Sequence, residues 1–308
     1  MLKRRNFLAL SSGIVASVLT PGQSWGNAAR ALKEPGSFIG PQWPKSVLLN
    51  VNAEKKPPSQ NFDFHTDNSI VDNIASLPLN VLDQIFPDIV ITEEEIRIFK
   101  KTLARFSRLQ KYIGYGNFNV IGWDQSLRFA RNYDQIGKFS RAELDFIEKL
   151  FSIDANSLGF YGDKVVSRLS SSIVKKDIRK IPRTGHYLFK GDAFDTYLRI
   201  RKDIGDSVVL TSGIRSVVKQ IYLFLNKAAE VDGNLSLASY SLAPPGHSYH
   251  AVGDFDVGKR NFGAKNFTEE FAQTDEFKRL SDLGYLDIRY PQNNSFGVRY
   301  EPWHIKVV

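Results

Sequence analysis

The apolar positions of this chain change their period along its length. From Thr92 onward, Ile96, Phe99, Leu103 and Phe106 recur at three- and four-residue steps, the spacing that lines one face of a helix. Thr92 followed by Glu95 forms a capping-box pattern at its start, and Gly114-Tyr115-Gly116-Asn117 ends it. A second helix is expected over Trp123 to Asn132. A third opens on another capping box, Ser140 with Glu143, and runs through Leu144, Ile147 and Leu150. Gly159-Phe160-Tyr161-Gly162 breaks the pattern, and residues 164–176 are expected to form one more helix.

Beyond Lys180 the runs shorten and strands enter. Ile181-Pro182-Arg183-Thr184-Gly185-His186-Tyr187 is rich in turn formers, and Phe194 to Lys202 reads as a short helix. Val208-Val209-Leu210-Thr211, set between Gly205-Asp206 and Ser212-Gly213, reads as a buried strand. A helix is expected over Arg215 to Glu230, a loop over 234–246 and a strand from Gly253 to Val257. Asn266 with Glu269 starts a helical stretch through Phe277 and Leu280. Gly284 to Tyr290 gives a turn and a strand, and Val298 to Val307 the last strand. Strands mixed with helices in this order predict an α+β fold: a C-terminal domain around a small antiparallel sheet, preceded by a mostly helical domain.

The first 88 residues behave differently. Lys3-Arg4-Arg5-Asn6-Phe7-Leu8 leads into a short apolar run, Ala9 to Leu19, that Pro21-Gly22 closes. The run is too short and too rich in Ser and Gly for a comfortable membrane span, and the paired arginines have the shape of a twin-arginine export signal. Residues 27–88 hold no sustained period, and Lys55-Lys56-Pro57-Pro58-Ser59-Gln60 reads as exposed linker. The expected organisation is a signal segment over 1–26, an irregular extension over 27–88, a helical domain over 89–179 and the α+β domain over 180–308. The expected location is periplasmic or extracytoplasmic.

Hydrophobic residues make up 42% of the chain and charged residues 24%, values ordinary for a globular protein. The net charge of +8 suits either a well-solvated surface or an acidic partner such as nucleic acid, anionic lipid or cell wall. There is no dense Lys/Arg stripe and no nucleic-acid module, so nucleic acid is not an expected partner. Phe118, Trp123, Phe129, Arg131 and Tyr133 make the helical region rich in aromatics and arginine. A glycan or peptide contact fits that mixture, but core packing with a solvated face fits it better. The chain has no cysteine, which removes disulfides, thiolate metal sites and cysteine nucleophiles. Any transition metal must be held by His, Asp or Glu, a donor set that suits a hydrolytic zinc site.

Histidine is scarce: His65, His186, His247, His250 and His304 are the full set. Three of them fall in two short stretches that also carry carboxylates, residues 245–256 and 300–306. His250 and Asp256 lie six residues apart around an expected strand start, and a turn leading into a strand can aim both at one point. Glu301 and His304 lie three apart with Pro302 between them, unlike the helical H-E-x-x-H arrangement. His304 is then the third metal ligand, and Glu301 stays off the metal as general base and acid. His65, in a polar loop, reads as a surface residue, and His186 as structural.

Ser248-x-His250-x-x-Gly253 with a following aspartate, Glu301-x-Trp303-His304, and Ser212-Gly213-Ile214-Arg215-Ser216 with Gln220 downstream resemble motifs of the VanY-type D-alanyl-D-alanine carboxypeptidases. That superfamily also holds D-Ala-D-Ala dipeptidases and murein endopeptidases. The resemblance spans roughly residues 180–308 and leaves the helical region uncovered. It implies one Zn2+ per chain on His250, Asp256 and His304, with Glu301 as base and Arg215 steadying the oxyanion. A fixed cation there is also physically apt, since one oxyanion donor is worth about 3–4 kcal/mol. Ser248, Ser212, Gln220 and Trp303 are candidates for substrate contact or for supporting the ligands, with packing the stronger reading for Trp303.

The chain departs from the family pattern at one point. The family step from histidine to aspartate is seven, whereas His250 to Asp256 is six, and a bulge or altered turn must absorb the missing residue. Asp256 is the preferred ligand. Asp254, two residues earlier and so on the same strand face, is the alternative. The expected activity is removal of terminal D-alanine from peptidoglycan stem peptides, with no membrane attachment after signal removal. Two alternatives stand beside it: an endopeptidase acting on wall cross-links, and a wall-binding protein that has lost catalysis. The shortened step motivates the last, and the intact Glu301 speaks against it.

Overall fold

The structure, a computed structural model, describes residues 89–308. The expected signal segment, the extension over 27–88 and His65 lie outside the described residues. Among the described residues no helix is long and apolar enough to cross a membrane.

Three longer helices build the first part, α1 (Glu93–Ile113), α2 (Trp123–Asn132) and α3 (Arg141–Ser152), with a single helical turn at Tyr115–Phe118 after the first. Helix α1 buries Phe99, Leu103, Phe106 and Leu109 along one stripe, as the spacing predicts. Its start differs from expectation. Thr92 is the N-cap, but its side chain caps no backbone amide; Glu93, Glu94 and Glu95 fill the first turn, where negative charge suits the helix dipole. The second capping box does form: Ser140 and Glu143 bond each other's backbone amides. Glu143 also receives Arg105 of α1, Nε to Oε1 at 2.8 Å and Nη2 to Oε2 at 3.0 Å, so one buried carboxylate ties α1 to α3.

Residues 164–174 are not helical. Val165-Val166 and Ser170-Ser171-Ser172 lower helix propensity, and tertiary bonds take the segment instead. Val166 N–H donates to Gly246 O at 2.9 Å, and Lys164 Nζ to Phe151 O at 2.6 Å.

The second part has an antiparallel hairpin of β1 (Ile178–Lys180) and β2 (Tyr187–Phe189), then α4 (Asp192–Ile204), β3 (Val208–Ser212), α5 (Val217–Glu230), α6 (Leu235–Ser241), β4 (Phe255–Lys259), α7 (Asp275–Asp282) and β5 (His304–Ile305). Strands β3, β4 and β5 form an antiparallel sheet in that order, with β4 central. Leu210 pairs with Val257 and Ser212 with Asp256, leaving a bulge between them; Asp256 pairs with His304. The architecture is α+β, with the small antiparallel sheet that the sequence predicts.

The boundaries differ from expectation in five places. Helix α5 starts at Val217 behind an Ser216 N-cap, which leaves Arg215 in the loop after β3. The expected loop after Asn234 holds α6, because the Asn234 side chain accepts from Leu237 N–H at 2.9 Å. Asn266 starts no long helix; its amide pairs with both backbone groups of Lys259, and Thr274 caps α7 instead. Ile288 makes only a bridge to Ile305 rather than a strand. The last strand shrinks to two residues, since Pro302 has no N–H to donate and His304 N–H turns back to Glu301 O at 3.1 Å.

Two apolar clusters dominate. One joins α1, α2 and α3 to the buried face of α5, including Val218, Ile221, Phe224 and Leu225. The other lies under the sheet, where Phe255, Val257, Leu210 and Ile305 meet Ile200, Phe271, Leu280 and Trp303.

Candidate metal centre

The site forms where β4 and β5 meet the turn before β4. His250 lies in a one-turn 3-10 helix, Tyr249–Ala251. Its Nδ1 and the Gly213 carbonyl are 2.8 Å apart, so Nδ1–H donates there and Nε2 faces inward as an acceptor. Gly213 must be glycine, because a Cβ at this position would stand 2.1 Å from Tyr187 O. Asp256 and His304 reach the same point as cross-strand partners on β4 and β5. Nε2 of His250 lies 3.2 Å from Asp256 Oδ1, and Nδ1 of His304 lies 3.5 Å from that oxygen. One donor atom from each of these three residues falls within 4.8 Å of the others, and all three side chains are buried.

Two atoms of this cluster, His250 Nε2 and Asp256 Oδ1, are buried without a hydrogen-bond partner. Leaving such atoms unsatisfied costs free energy, and both are good ligands for a borderline-soft divalent cation. The donor set therefore fits zinc. Glu301 stands beside it, with Oε2 3.3 Å from His304 Nδ1.

Arg215 is fixed by two bonds, Nε to Ser212 Oγ at 2.9 Å and Nη2 to Asp256 Oδ2 at 2.5 Å. Burial works against the Asp256 charge, but His250 and the Arg215 guanidinium hold its carboxyl down to about 2. Burial and then Arg215 push His250 below the ordinary histidine range, so it is a neutral imidazole at neutral pH. His304 goes the other way. Burial opposes its charge, yet bonds to Asp254 and Glu301 and the nearby Asp256 charge raise it to about 9.

Asp254 is not part of the donor cluster. Its Oδ2 accepts from Arg289 Nε at 2.7 Å and lies 3.0 Å from His304 Nε2. Its Oδ1 accepts from Arg289 Nη2 at 3.1 Å and from Val307 N–H at 2.8 Å. Arg289 falls in a segment expected to be an ordinary strand, and no motif marks it.

The remaining candidates fall around the centre. Ser248 is buried and accepts Ala251 N–H on its carbonyl, but its side chain caps nothing. Gln220 donates to Ala243 O at 2.6 Å and so holds the loop before His250. Trp303 packs under the sheet, against Phe267 and beneath Arg299. His247 turns away, with Nδ1 3.2 Å from Gly162 O and its ring edge-on to Phe160. His186 stays outside the donor cluster, beside Asn119 Nδ2 at 3.4 Å; burial first, then Arg215 and Lys219, lower it to about 4.

The geometry is that of a buried His-Asp-His donor set on a small antiparallel sheet, with a carboxylate three residues before the last histidine. Residues 191–308 match the family VanY, D-alanyl-D-alanine carboxypeptidase. Similar solved structures include the LdcB LD-carboxypeptidase, at 30% identity over 42% of this chain and 62% of that one, TM-score 0.34. The vancomycin-resistance D,D-pentapeptidase VanY, as a mutant in complex with Zn(II), is 22% identical over 47% of this chain and 86% of that one, TM-score 0.35. The vancomycin-resistance D,D-dipeptidase VanXYg in complex with a D-Ala-D-Ala phosphinate analog is 22% identical over 52% of this chain and 62% of that one, TM-score 0.37. The chain thus spans less than two thirds of the LdcB chain. No curated protein matches this sequence.

Proposed function

We propose that this protein is an exported zinc-dependent D,D-carboxypeptidase that removes terminal D-alanine from peptidoglycan stem peptides. The observation that carries the reading is the pair of buried, unpartnered atoms, His250 Nε2 and Asp256 Oδ1, converging with His304 inside a VanY-type domain. His250, Asp256 and His304 are the zinc ligands. Zinc bound there supplies Lewis acidity and brings the pKa of a coordinated water toward ~7.

The other roles fall to neighbouring residues. Glu301 is buried beside His304 and accepts the proton of the attacking water, then returns it to the leaving amine. Arg215 is locked through Nε and Nη2, which leaves Nη1 to face negative charge developing on the substrate carbonyl oxygen. Its bond to Asp256 also keeps that carboxyl ionised for metal binding. The Arg4-Arg5 segment supports export to the periplasm, where the wall substrate lies.

The test is direct. Purified mature protein is assayed for bound zinc and for D-alanine release from a pentapeptide ending in D-Ala-D-Ala. One zinc per chain and release that Glu301→Ala abolishes are expected. Absence of both metal and hydrolysis would sink the enzyme reading, and full activity in Glu301→Ala would rule out the assigned base.

A further inference from the structure

The imidazole of His304 sits between carboxylates on both sides. Asp254 faces Nε2 at 3.0 Å, while Glu301 and Asp256 face Nδ1 at 3.3 and 3.5 Å. A neutral imidazole has one N–H and one lone pair, and the neighbours decide which nitrogen carries which. Without Asp254, the two acids on the inner side would draw the proton onto Nδ1 and close that nitrogen to a metal.

We infer that Asp254, clamped by Arg289, is a positioning residue that keeps the His304 proton on Nε2 and presents Nδ1 to the metal position. The inference rests on the zinc reading above for the meaning of that position, but not for the tautomer itself. Both Asp254 oxygens are already engaged. Oδ1 takes Arg289 Nη2 and the Val307 and Val308 amides, and Oδ2 takes Arg289 Nε as well as His304. No lone pair is left over for a metal, so Asp254 is excluded as a ligand by its own bonds.

The clamp is itself held on two sides. Arg289 is buried and forks onto the carboxylate, and its guanidinium carbon lies 3.6 Å from the Tyr249 ring centroid. Its Nη2 also donates to Val308 O. Tyr249 donates its hydroxyl to Asp163 Oδ2 at 2.9 Å and immediately precedes His250 in the chain. One buried assembly therefore supports both histidines, His250 through the backbone and His304 through Asp254. Asp254 and Asp256, two residues apart, face opposite nitrogens of His304.

Two measurements test this. Selectively 15N-labelled histidine in the wild-type chain should show an Nε2–H resonance for His304, shifted downfield by its carboxylate, both with zinc and, above pH 9 where the imidazole is neutral, without it. In the zinc-loaded protein, a proton on Nδ1 with metal on Nε2 would overturn the inference, whatever any variant does. The second measurement uses Asp254→Ala with Arg289→Met, a pair chosen so that neither charge is left buried alone. This double variant should still take up one zinc, with affinity weakened by about 10- to 100-fold. An unchanged affinity would overturn the positioning role, and complete loss of the zinc stoichiometry would make Asp254 a ligand instead. A wild-type chain that binds no zinc yet, above pH 9, shows the Nε2–H resonance beside an unprotonated Nδ1 would sink the zinc reading and leave this inference standing.

Discussion

Zinc uptake should be strongly dependent on pH between 7 and 9, and by a predictable number of protons. In the metal-free protein the surrounding carboxylates raise His304 to about 9, so its Nδ1 carries a proton at pH 7. The other two ligands offer no such competition. His250 is held neutral by burial and Arg215, and Asp256 is ionised, its carboxyl held down to about 2. Zinc must therefore displace a single proton. Two pH units below the His304 value that displacement weakens apparent affinity by roughly 100-fold, about 2.7 kcal/mol. The apparent Kd should tighten about tenfold per pH unit from 7 to 9 and level off above. Competition against a chromophoric chelator across this range measures the slope. Calorimetry in buffers of different ionisation enthalpy counts the proton. A Kd flat between pH 7 and 9, or no proton release, would refute the assignment of His304 as the proton-loaded ligand. The stability of the metal-free chain follows with the opposite sense. A folded value of about 9 against an ordinary 6.5 stabilises fully below pH 6.5, and that contribution, about 3 kcal/mol, is lost as pH rises through 9.

Other substitutions separate the roles of neighbouring groups. Glu301→Gln should keep one zinc per chain and lower D-alanine release by about 10²- to 10⁴-fold, read by metal analysis beside the peptide assay. Arg215→Met leaves Asp256 buried without its cation and should destabilise the metal-free protein by about 3–5 kcal/mol, measured by urea unfolding. Glu143→Ala removes both the α3 capping box and the partner of Arg105, and should cost a similar ~3–5 kcal/mol in the same measurement while leaving zinc affinity unchanged.

Much of this organisation is legible in the residues themselves. The stripe Phe99-Leu103-Phe106 has one satisfactory solution, a helix buried on that side, and Ser140 with Glu143 marks a start that the structure keeps. The run Val208 to Thr211 is a strand because its flanks turn and its interior is β-branched and apolar. The sequence reading fails where a tertiary partner overrides local preference. Asn266 has the look of a helix start, but the free backbone of Lys259 claims its amide. Residues 298–303 have strand-like composition, but Pro302 cannot join a ladder. At the metal centre, the spacing brings out His250, Asp256, Glu301 and His304, because ligands are recognised by residue type. Arg289 is invisible to that reasoning: its role comes only from a contact with Asp254 across 35 positions of sequence.

Helix α5 has a consequence for how the chain can be divided. It starts two residues after Arg215, inside the segment 191–308 that carries the family likeness, yet Val218, Ile221, Phe224 and Leu225 are buried against α1, α2 and α3. The portion that bears the chemistry is thus not a detachable cassette. Cut at residue 191, it would bare a greasy flank next to the arginine that braces Asp256, and it should be recovered as aggregate rather than as a smaller working enzyme.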